Sequence, residues 1–251
     1  MKPIFVKKWH GIDLLSIYKG DSRQLPDNNF YSNFYKEFFK NHLSWSDLNP
    51  NWVDHKTNNA RFILSRLSER GRTLSIGCGL GMIEKFLLEN GLNNLEIQEI
   101  SEEPLHWIKP LFADNAIHIG IFPECLNSSE KFEYIYISIA DYCFNQDEWI
   151  TFLKSVREHL NDNGHCLVVS PSFHLANYSA QEICLWIKAR VKHVLSFFGL
   201  YNLGQMMGWR RSSEEFLNAM EKAGFGSLND GFTEKDALMP RTFWVEGLNK
   251  P

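Results

Sequence analysis

The stretch Leu-Ser-Ile-Gly-Cys-Gly-Leu-Gly at residues 74–81 decides the predicted fold of this chain. A short apolar run leads into it from Thr73, and an apolar helical pattern begins directly after it at Met82. Glycines at such a strand-to-helix turn can adopt positive φ angles and let a ligand approach the backbone closely. The free N–H groups at the start of the helix attract a carboxylate or phosphate. The stretch therefore predicts a ligand site where a buried strand turns into a helix.

The glycine spacing separates two kinds of nucleotide site. A dinucleotide fingerprint, G-x-G-x-x-G, requires its third glycine at position 82, which is Met82 here. The third glycine of this chain is Gly81 instead. The resulting G-x-G-x-G pattern resembles the form found in methyltransferases, which favours a site for S-adenosylmethionine.

An acidic residue ends the next predicted strand. Glu99 closes Leu95-Glu96-Ile97-Gln98-Glu99 and lies about eighteen positions after Gly81. A buried adenosyl group needs acceptors for both of its ribose hydroxyls, and a carboxylate at this place supplies them. The alternative is an exposed acid at a strand end. Because the glycine motif precedes it, Glu99 is our candidate for the ribose ligand.

Apolar runs alternate with helical stretches from Thr73 onward, which is typical of βαβ units and a parallel sheet. We predict strands near 73–77, 95–99, 116–121, 133–139 and 165–170, with helices after the first, second and fourth. The clearest helix spans about 147–160, with Asn163-Gly164 as its stop. Ser212-x-x-Glu215 is a capping box for a helix ending at Gly224, and 225–232 with 242–247 form a closing antiparallel pair.

The run from Thr73 to Ser170 resembles the core of the class I S-adenosylmethionine-dependent methyltransferases. Residues 74–81 resemble their first motif and Glu99-Ile100-Ser101 the acidic end of their second strand; residues 132–138 resemble their fourth strand, and 163–169 the turn into their fifth. The resemblance implies an α/β fold with a doubly wound, mostly parallel seven-stranded sheet. To it are added an N-terminal helical extension and a helical insertion after the fifth strand.

The same resemblance implies the cofactor, S-adenosyl-L-methionine, and the residues that bind it. Gly77 and Gly79 are implied to line the amino-acid part of the donor and Glu99 to bind ribose. The full predicted cofactor set is Ser75, Gly77, Cys78, Gly79, Gly81, Glu99, Ile100, Phe122, Glu124 and Ser138. One departure concerns adenine: many members carry an acid after the third strand, where this chain has Phe122-Pro123-Glu124. Either Phe122 packs on the adenine ring, or Glu124 accepts a hydrogen bond from the adenine amino group.

Two residues are candidates for the catalytic base. Asp141 follows the fourth predicted strand and His174 the fifth, and ligands of open α/β sheets bind beyond those carboxyl ends. A solvated loop position is the alternative for each. His10 reaches the acceptor only if the N-terminal segment folds over the site, while His165 starts a strand and is predicted to be structural. The pattern indicates no metal site.

The acceptor is expected to lie under two additions to the core. We divide the chain into an N-terminal helical, aromatic cap at 1–54 and a methyltransferase domain at 55–251, with a helical lid at about 172–211. Their aromatic content suits a small organic acceptor such as a sugar, a phenol or a natural-product intermediate. The alternatives are a methyltransferase acting on RNA or protein and a non-catalytic nucleotide-binding scaffold. The cations Lys188, Arg190 and Lys192 either meet a phosphorylated or lipid-linked acceptor or form a solvated helix face.

The bulk composition narrows the class of protein. A formal net charge of −4 argues against tight binding to a phosphate backbone, so nucleic acid is an unfavoured partner. Five widely spaced cysteines without a C-x-x-C pair indicate reduced thiols rather than disulfides or a zinc site. The basic N-terminus lacks the apolar core of a signal peptide, and no apolar run is long enough to span a membrane. We therefore expect a cytoplasmic protein.

Overall fold

The computed structural model describes residues 1–18, 20–67, 71–172, 187–188, 190–192, 194–196, 198, 200–234 and 242–250. The strands and helices discussed below are, in chain order, β1 (Lys2–Val6), β2 (Lys8–Trp9), β3 (Ile12–Asp13), α1 (Leu14–Ile17), α2 (Asn28–Asn41), α3 (Pro50–Leu67), β4 (Thr73–Ile76), α4 (Met82–Glu89), β5 (Leu95–Glu99), β6 (Ile117–Ile119), β7 (Phe132–Ser138), α5 (Gln146–Glu158), β8 (Leu160–Ser170), β9 (Gln205–Arg210), α6 (Ser213–Lys222), β10 (Gly226–Phe232) and β11 (Phe243–Leu248).

Seven strands form the central sheet in the order β10-β11-β8-β7-β4-β5-β6. The pairs β4–β5, β5–β6, β4–β7 and β7–β8 are parallel, whereas β11 runs antiparallel to both of its neighbours. The strand order reverses direction beside β4, so a crevice opens at the carboxyl ends of β4, β5 and β7. The predicted seven-stranded, mostly parallel sheet is confirmed, and so is the closing antiparallel pair.

Apolar side chains cover both faces of the sheet. On one face Trp149 and Leu153 of α5 and Phe216 of α6 pack against β7 and β8, and all three are fully buried. On the other face Ile63 of α3 and Leu87 of α4 pack in one cluster with side chains of β5, β7 and β8. Both layers follow from a 3.6-residue spacing of apolar positions in these helices. The sheet is therefore rigidly supported beneath the crevice.

The N-terminal aromatic stripe forms a third apolar cluster. Phe30, Phe34 and Phe38 repeat every four residues on α2 and are fully buried. They pack with Leu80 from the glycine-rich turn and with Met207 from β9. The cap therefore lies directly against the glycine-rich turn. Helix α3 continues through the predicted boundary between residues 54 and 55, and the division into cap and domain stays a prediction.

The N-terminal extension is not purely helical, which corrects the prediction. It begins with β1, which pairs antiparallel with β9, and Lys2 lies opposite Arg210. Residues 205–210, which were assigned to a helical insertion, thus form a strand instead. This pairing was missed because its two halves lie at opposite ends of the sequence and Gly208 interrupts the pattern of β9.

Two local predictions between the core strands also differ from the structure. After β5 there is no α-helix but a series of 3-10 turns, at Glu103–His106, Lys109–Leu111 and Asp114–Ala116. Pro104 and Pro110 explain this, because each lacks a backbone N–H and interrupts helical hydrogen bonding. Asn163-Gly164 does not end α5, which stops at Glu158; it lies inside β8.

Residues 173–186 of the predicted lid, and single positions at 189, 193, 197 and 199, lie outside the described residues. The described residues between 187 and 196 are helical, and the side chains of Lys188, Arg190 and Lys192 are exposed. Within the described ranges, the chain has no helix with the length and apolar character needed to cross a membrane.

Candidate functional site

The glycine-rich turn uses its three glycines for different reasons. Gly77, Gly79 and Gly81 all have positive φ angles, of 69°, 57° and 68°. A Cβ on Gly77 would lie 2.8 Å from the Cβ of Ala140, and one on Gly81 would lie 2.5 Å from Ile108. Nothing lies within 4 Å of a Cβ placed on Gly79. The first and third glycines therefore permit packing, whereas the second leaves open space on the ligand side.

Glu99 ties the turn to the end of β5. Its Oε2 accepts a hydrogen bond from the backbone N–H of Gly79 at 2.8 Å, and its Oε1 accepts one from the N–H of Ile100 at 2.8 Å. Burial raises the pKa of this carboxyl, and the two N–H groups act in the opposite direction. Each carboxylate oxygen keeps a second lone pair. The side chain is thus fixed in place while retaining the capacity to accept two further hydrogen bonds.

A cavity of about 750 Å³ opens over this turn. Its floor comes from the carboxyl ends of β4, β5 and β7, and its roof from the N-terminal cap and β9. This volume is in the usual range for a small-molecule site. The floor is lined by Ser75, Gly77, Cys78, Gly79, Gly81, Glu84, Glu99, Ile100 and Ser138, and the roof by Trp9, Leu25, Pro26, Tyr31, Tyr35, Trp52 and Met207.

A buried carboxylate lies in the cavity wall on the first turn of α4. Glu84 is 1% exposed, and its Oε1 accepts hydrogen bonds from the hydroxyls of Ser75 at 2.6 Å and Tyr136 at 2.8 Å. Its Oε2 has no hydrogen-bond partner among the described residues. Burial raises its pKa, and the positive charge of Lys56 on α3 counteracts this. Burial in turn lowers the pKa of Lys56 to about 8.

A comparison with protein families decides what kind of domain surrounds this cavity. The family model described as a methyltransferase domain matches residues 52–226, more than half of the chain. The chain belongs to this methyltransferase family. Its fold is that of the class I enzymes that use S-adenosylmethionine as methyl donor. No curated protein sequence matches the chain significantly.

Solved structures share the fold at low sequence identity. Human N-acetylserotonin methyltransferase in complex with S-adenosylmethionine is 13% identical, with a TM-score of 0.57 over 95% of this chain and 63% of its own. The mitomycin 7-O-methyltransferase MmcR is 14% identical, with a TM-score of 0.58 over 95% and 61%. Magnesium protoporphyrin IX methyltransferase from Synechocystis PCC 6803 is 11% identical, with a TM-score of 0.56 over 87% and 95%. The chain spans about three-fifths of the length of the first two.

The fold does not present Asp141 to the cavity. This carboxylate is 1% exposed and pairs with the fully buried Arg211, whose Nη1 donates to Asp141 Oδ2 at 3.2 Å. The same guanidinium donates to the backbone oxygens of Phe144 and Asn145, at 2.6 and 3.0 Å, and to the side chain of Gln146 at 3.1 Å. Asp141 therefore holds the loop after β7 in place, and the geometry does not support its predicted role as a general base.

Neither predicted adenine residue lines the cavity. Phe122 is 6% exposed and packs in the core, with its ring 5.4 Å from Phe152 and 5.3 Å from His159 between centroids. Glu124 is exposed. Phe122, three residues after β6, therefore points into the core instead of the cavity. The apolar cavity residue nearest in sequence to Glu99 is Ile100, which lines the cavity and is 50% exposed.

The three histidines considered from the sequence have different surroundings. His174 lies outside the described residues, although Pro171, three positions before it, lines the cavity. His10 is not among the cavity-lining residues; its ring packs edge-on against Phe38 and Trp52, with centroids 5.2 and 5.1 Å apart. His165 Nδ1 lies 3.0 Å from Glu246 Oε1 on the neighbouring strand. Of these three histidines, His10 and His165 lie away from the cavity lining, and the role of His174 as a base stays a prediction.

Sequence reasoning missed Glu84 and Lys56. An acidic residue in the first turn of a helix usually only complements the helix dipole, so the sequence position of Glu84 does not by itself indicate a ligand. The available signal was its spacing: Glu84 is three residues before Leu87 and shares the buried face of α4 with it. A carboxylate on an apolar stripe is expensive to bury and therefore indicates a specific partner.

Proposed function

We propose that this chain transfers a methyl group from S-adenosylmethionine to a hydroxyl or amine of a small organic acceptor with an aromatic or apolar body. The observation that carries this proposal is the cavity that lies between the glycine-rich turn and the aromatic cap. One wall has the polar groups that an adenosyl donor requires. The other wall is formed by aromatic rings, which bind flat or apolar molecules.

The donor wall fits S-adenosylmethionine on two counts. The open space beside Gly79 admits the donor close to the backbone. The free lone pairs of Glu99 are the acceptors that we propose for the two ribose hydroxyls, and its bonds from the N–H groups of Gly79 and Ile100 fix its orientation. The donor supplies an electrophilic methyl group on a sulfonium. The protein has to align this methyl with the acceptor atom and exclude water.

The acceptor wall offers polar groups that are protonated at neutral pH. Tyr31 is hydrogen-bonded to Tyr142 and Cys143, and burial raises the pKa of all three side chains, that of Cys143 to about 11. Tyr31, Tyr142 and Cys143 all line the cavity. They therefore act as hydrogen-bonding groups that orient an acceptor, and none of them is suited to remove its proton.

The acceptor proton then leaves by one of two routes. A phenol or carboxylic acid that is already ionised in solution needs no base. A neutral hydroxyl needs one, and His174 stays the predicted candidate because it follows Pro171 at the cavity edge. The three structural neighbours support the acceptor class, because N-acetylserotonin, mitomycin and magnesium protoporphyrin IX are all small organic compounds.

Two measurements test this proposal. Calorimetry with S-adenosylmethionine and, separately, NAD should show binding of the first only; binding of NAD alone would overturn the donor assignment. Methyl-labelled donor is then incubated with the protein and a small-molecule extract, a panel of phenols, total RNA and a protein lysate. Label in a small molecule supports the proposal, and label confined to RNA or protein overturns it. The predicted cytoplasmic location is checked by cell fractionation.

A further inference from the structure

The oxygen Oε2 of Glu84 is a buried hydrogen-bond acceptor without a partner among the described residues. Its carboxylate lines the cavity beside the glycine-rich turn. The other oxygen, Oε1, already accepts two hydrogen bonds, from Ser75 and Tyr136. These two hydroxyls hold the carboxylate in a fixed orientation. The unpaired oxygen is therefore available to a group that enters the cavity.

An unpaired buried carboxylate destabilises a protein unless it gains a partner. The described residues supply a nearby positive charge in Lys56, which also lines the cavity. Among the described residues the carboxylate of Glu84 is hydrogen-bonded only to Ser75 and Tyr136 and forms no salt bridge with Lys56, whose ammonium lies 5.6 Å from the ring centroid of Trp52. The cavity wall thus carries one negative and one positive group that do not neutralise each other by direct contact.

This pair of charges is complementary to the amino-acid end of the donor, which carries an ammonium and a carboxylate. We propose that Glu84 Oε2 accepts a hydrogen bond from the α-ammonium of S-adenosylmethionine and that Lys56 faces its α-carboxylate. Ser75 and Tyr136 act as positioning residues through Glu84. This proposal rests on the proposed donor, and it assigns the recognition of the donor's tail to α3 and α4.

The assignment has a consequence for ligand selection. Charge-assisted hydrogen bonds to a desolvated partner contribute strongly to binding. A ligand that has the adenosyl group but lacks the amino-acid tail should therefore gain nothing from Glu84 or Lys56. S-adenosylhomocysteine and 5′-methylthioadenosine differ in this way, because the second lacks the amino-acid portion.

Calorimetry of these two ligands with the full chain tests the assignment. For Glu84→Gln we expect S-adenosylhomocysteine affinity to fall about tenfold or more, a size typical of a charged hydrogen bond. For Lys56→Met we expect a fall of about fivefold or more by loss of the carboxylate partner. The affinity for 5′-methylthioadenosine should change less than about twofold in both variants. Glu89→Gln is the matched control, because Glu89 is on the same helix with a half-exposed side chain and does not line the cavity.

The outcomes separate this proposal from the proposed function. If the unaltered protein binds neither ligand, the proposed function and the assignment of Glu84 and Lys56 are both overturned. If it binds S-adenosylhomocysteine but Glu84→Gln weakens both ligands equally or neither of them, only the tail assignment is overturned. Ser75→Ala, which keeps the carboxylate but removes one of its positioning hydroxyls, gives a second measure: it should weaken S-adenosylhomocysteine selectively. Thermal unfolding of each variant identifies any that fails to fold. If Glu84→Gln is misfolded, Glu84→Ala takes its place.

Discussion

The indole N–H of Trp45 donates a hydrogen bond of 3.1 Å to the carbonyl oxygen of Leu80, in the middle of the glycine-rich turn. Trp45 belongs to the cap, and Leu80 lies between the second and third glycines of the turn. The cap therefore holds the donor turn in addition to covering the cavity. Mobility in the cap should in consequence alter donor binding as well as acceptor binding.

Trp45→Phe tests this connection. The phenyl ring keeps most of the apolar packing but loses the donor to Leu80, so we expect the free energy of unfolding to fall by about 1 kcal/mol. Donor affinity should fall a few-fold, measured by calorimetry beside urea denaturation. Trp107→Phe is the matched control, since that ring packs 5.5 Å from Trp45 between centroids and lies in the same cluster. Equal losses of donor affinity in both variants would argue that packing alone is responsible.

The glycines of the turn should separate stability from binding. Gly81→Ala places a Cβ 2.5 Å from Ile108 at a φ of 68°, so we expect it to destabilise the fold by about 2–4 kcal/mol. Gly79→Arg adds its side chain to open space and should abolish donor binding with a smaller loss of stability, about 1–2 kcal/mol from the positive φ. Thermal unfolding and calorimetry on both variants check this. Undiminished donor affinity in Gly79→Arg would contradict the placement of the donor.

The buried ion pair behind β7 should behave as a structural element. Arg211→Met leaves the Asp141 carboxylate buried without its cation, and we expect a loss of about 3–5 kcal/mol in the free energy of unfolding. Asp141→Asn keeps an acceptor for the guanidinium and should cost less. Because neither group lines the cavity, methyl transfer by folded Asp141→Asn should keep its pH profile. A profile that loses an acidic limb would restore Asp141 as the base.

His10 should make stability dependent on pH. Burial, with smaller effects of His42 and Lys56, lowers the pKa of His10 to about 4 in the folded protein. In the unfolded chain the pKa is about 6.5, so the unfolded state binds more protons between these values. The contribution of His10 is therefore fully present above pH 6.5 and is lost as the pH falls towards 4. Urea denaturation measures the free energy of unfolding at pH 7 and at pH 5. The loss between these two values should be smaller for His10→Gln than for the unaltered protein, and equal losses would disprove the assignment.

Lys56 should make donor affinity dependent on pH at the alkaline end. Its pKa of about 8 means that the group loses its charge above that value, and with it the attraction for a carboxylate. S-adenosylhomocysteine affinity should therefore fall between pH 7.5 and 9. The ammonium of the ligand also titrates near this range, so the diagnostic quantity is the difference from Lys56→Met. Parallel profiles for the two proteins would show that Lys56 does not contact the ligand's carboxylate.

The sequence predicts the central sheet well because its signals are local. Three glycines, an acid at the end of the next strand and a capping box at Ser212 each act within a few residues. The positions of β4 and β5 follow from the glycines and the acid, and the start of α6 follows from the capping box. The predicted cofactor residues from Ser75 to Ile100 line one cavity. The adenine contact failed to follow because the direction of the chain after β6 depends on the core beneath it, into which Phe122 is packed.

The partners of Asp141 and Glu84 explain the remaining differences. Asp141 was read as a catalytic residue from its place after a strand, but the cation that neutralises it, Arg211, lies seventy residues further along the chain. Glu84 was overlooked because its significance depends on Lys56, which comes from a different helix. Contacts between residues so distant in sequence leave no periodic pattern, so only the folded structure shows whether a buried charge is paired or free.

The antiparallel pairing of β1 with β9 sets the order in which parts of the site can fold during synthesis. Lys2–Val6 are synthesised before the donor turn, whereas their partners in Gln205–Arg210 are synthesised only after that turn and five strands of the sheet. Closing so long a loop is entropically costly before other contacts exist. The crevice should therefore form while its roof is still open, and the site should be sealed only after the five strands from β4 to β8 are in place.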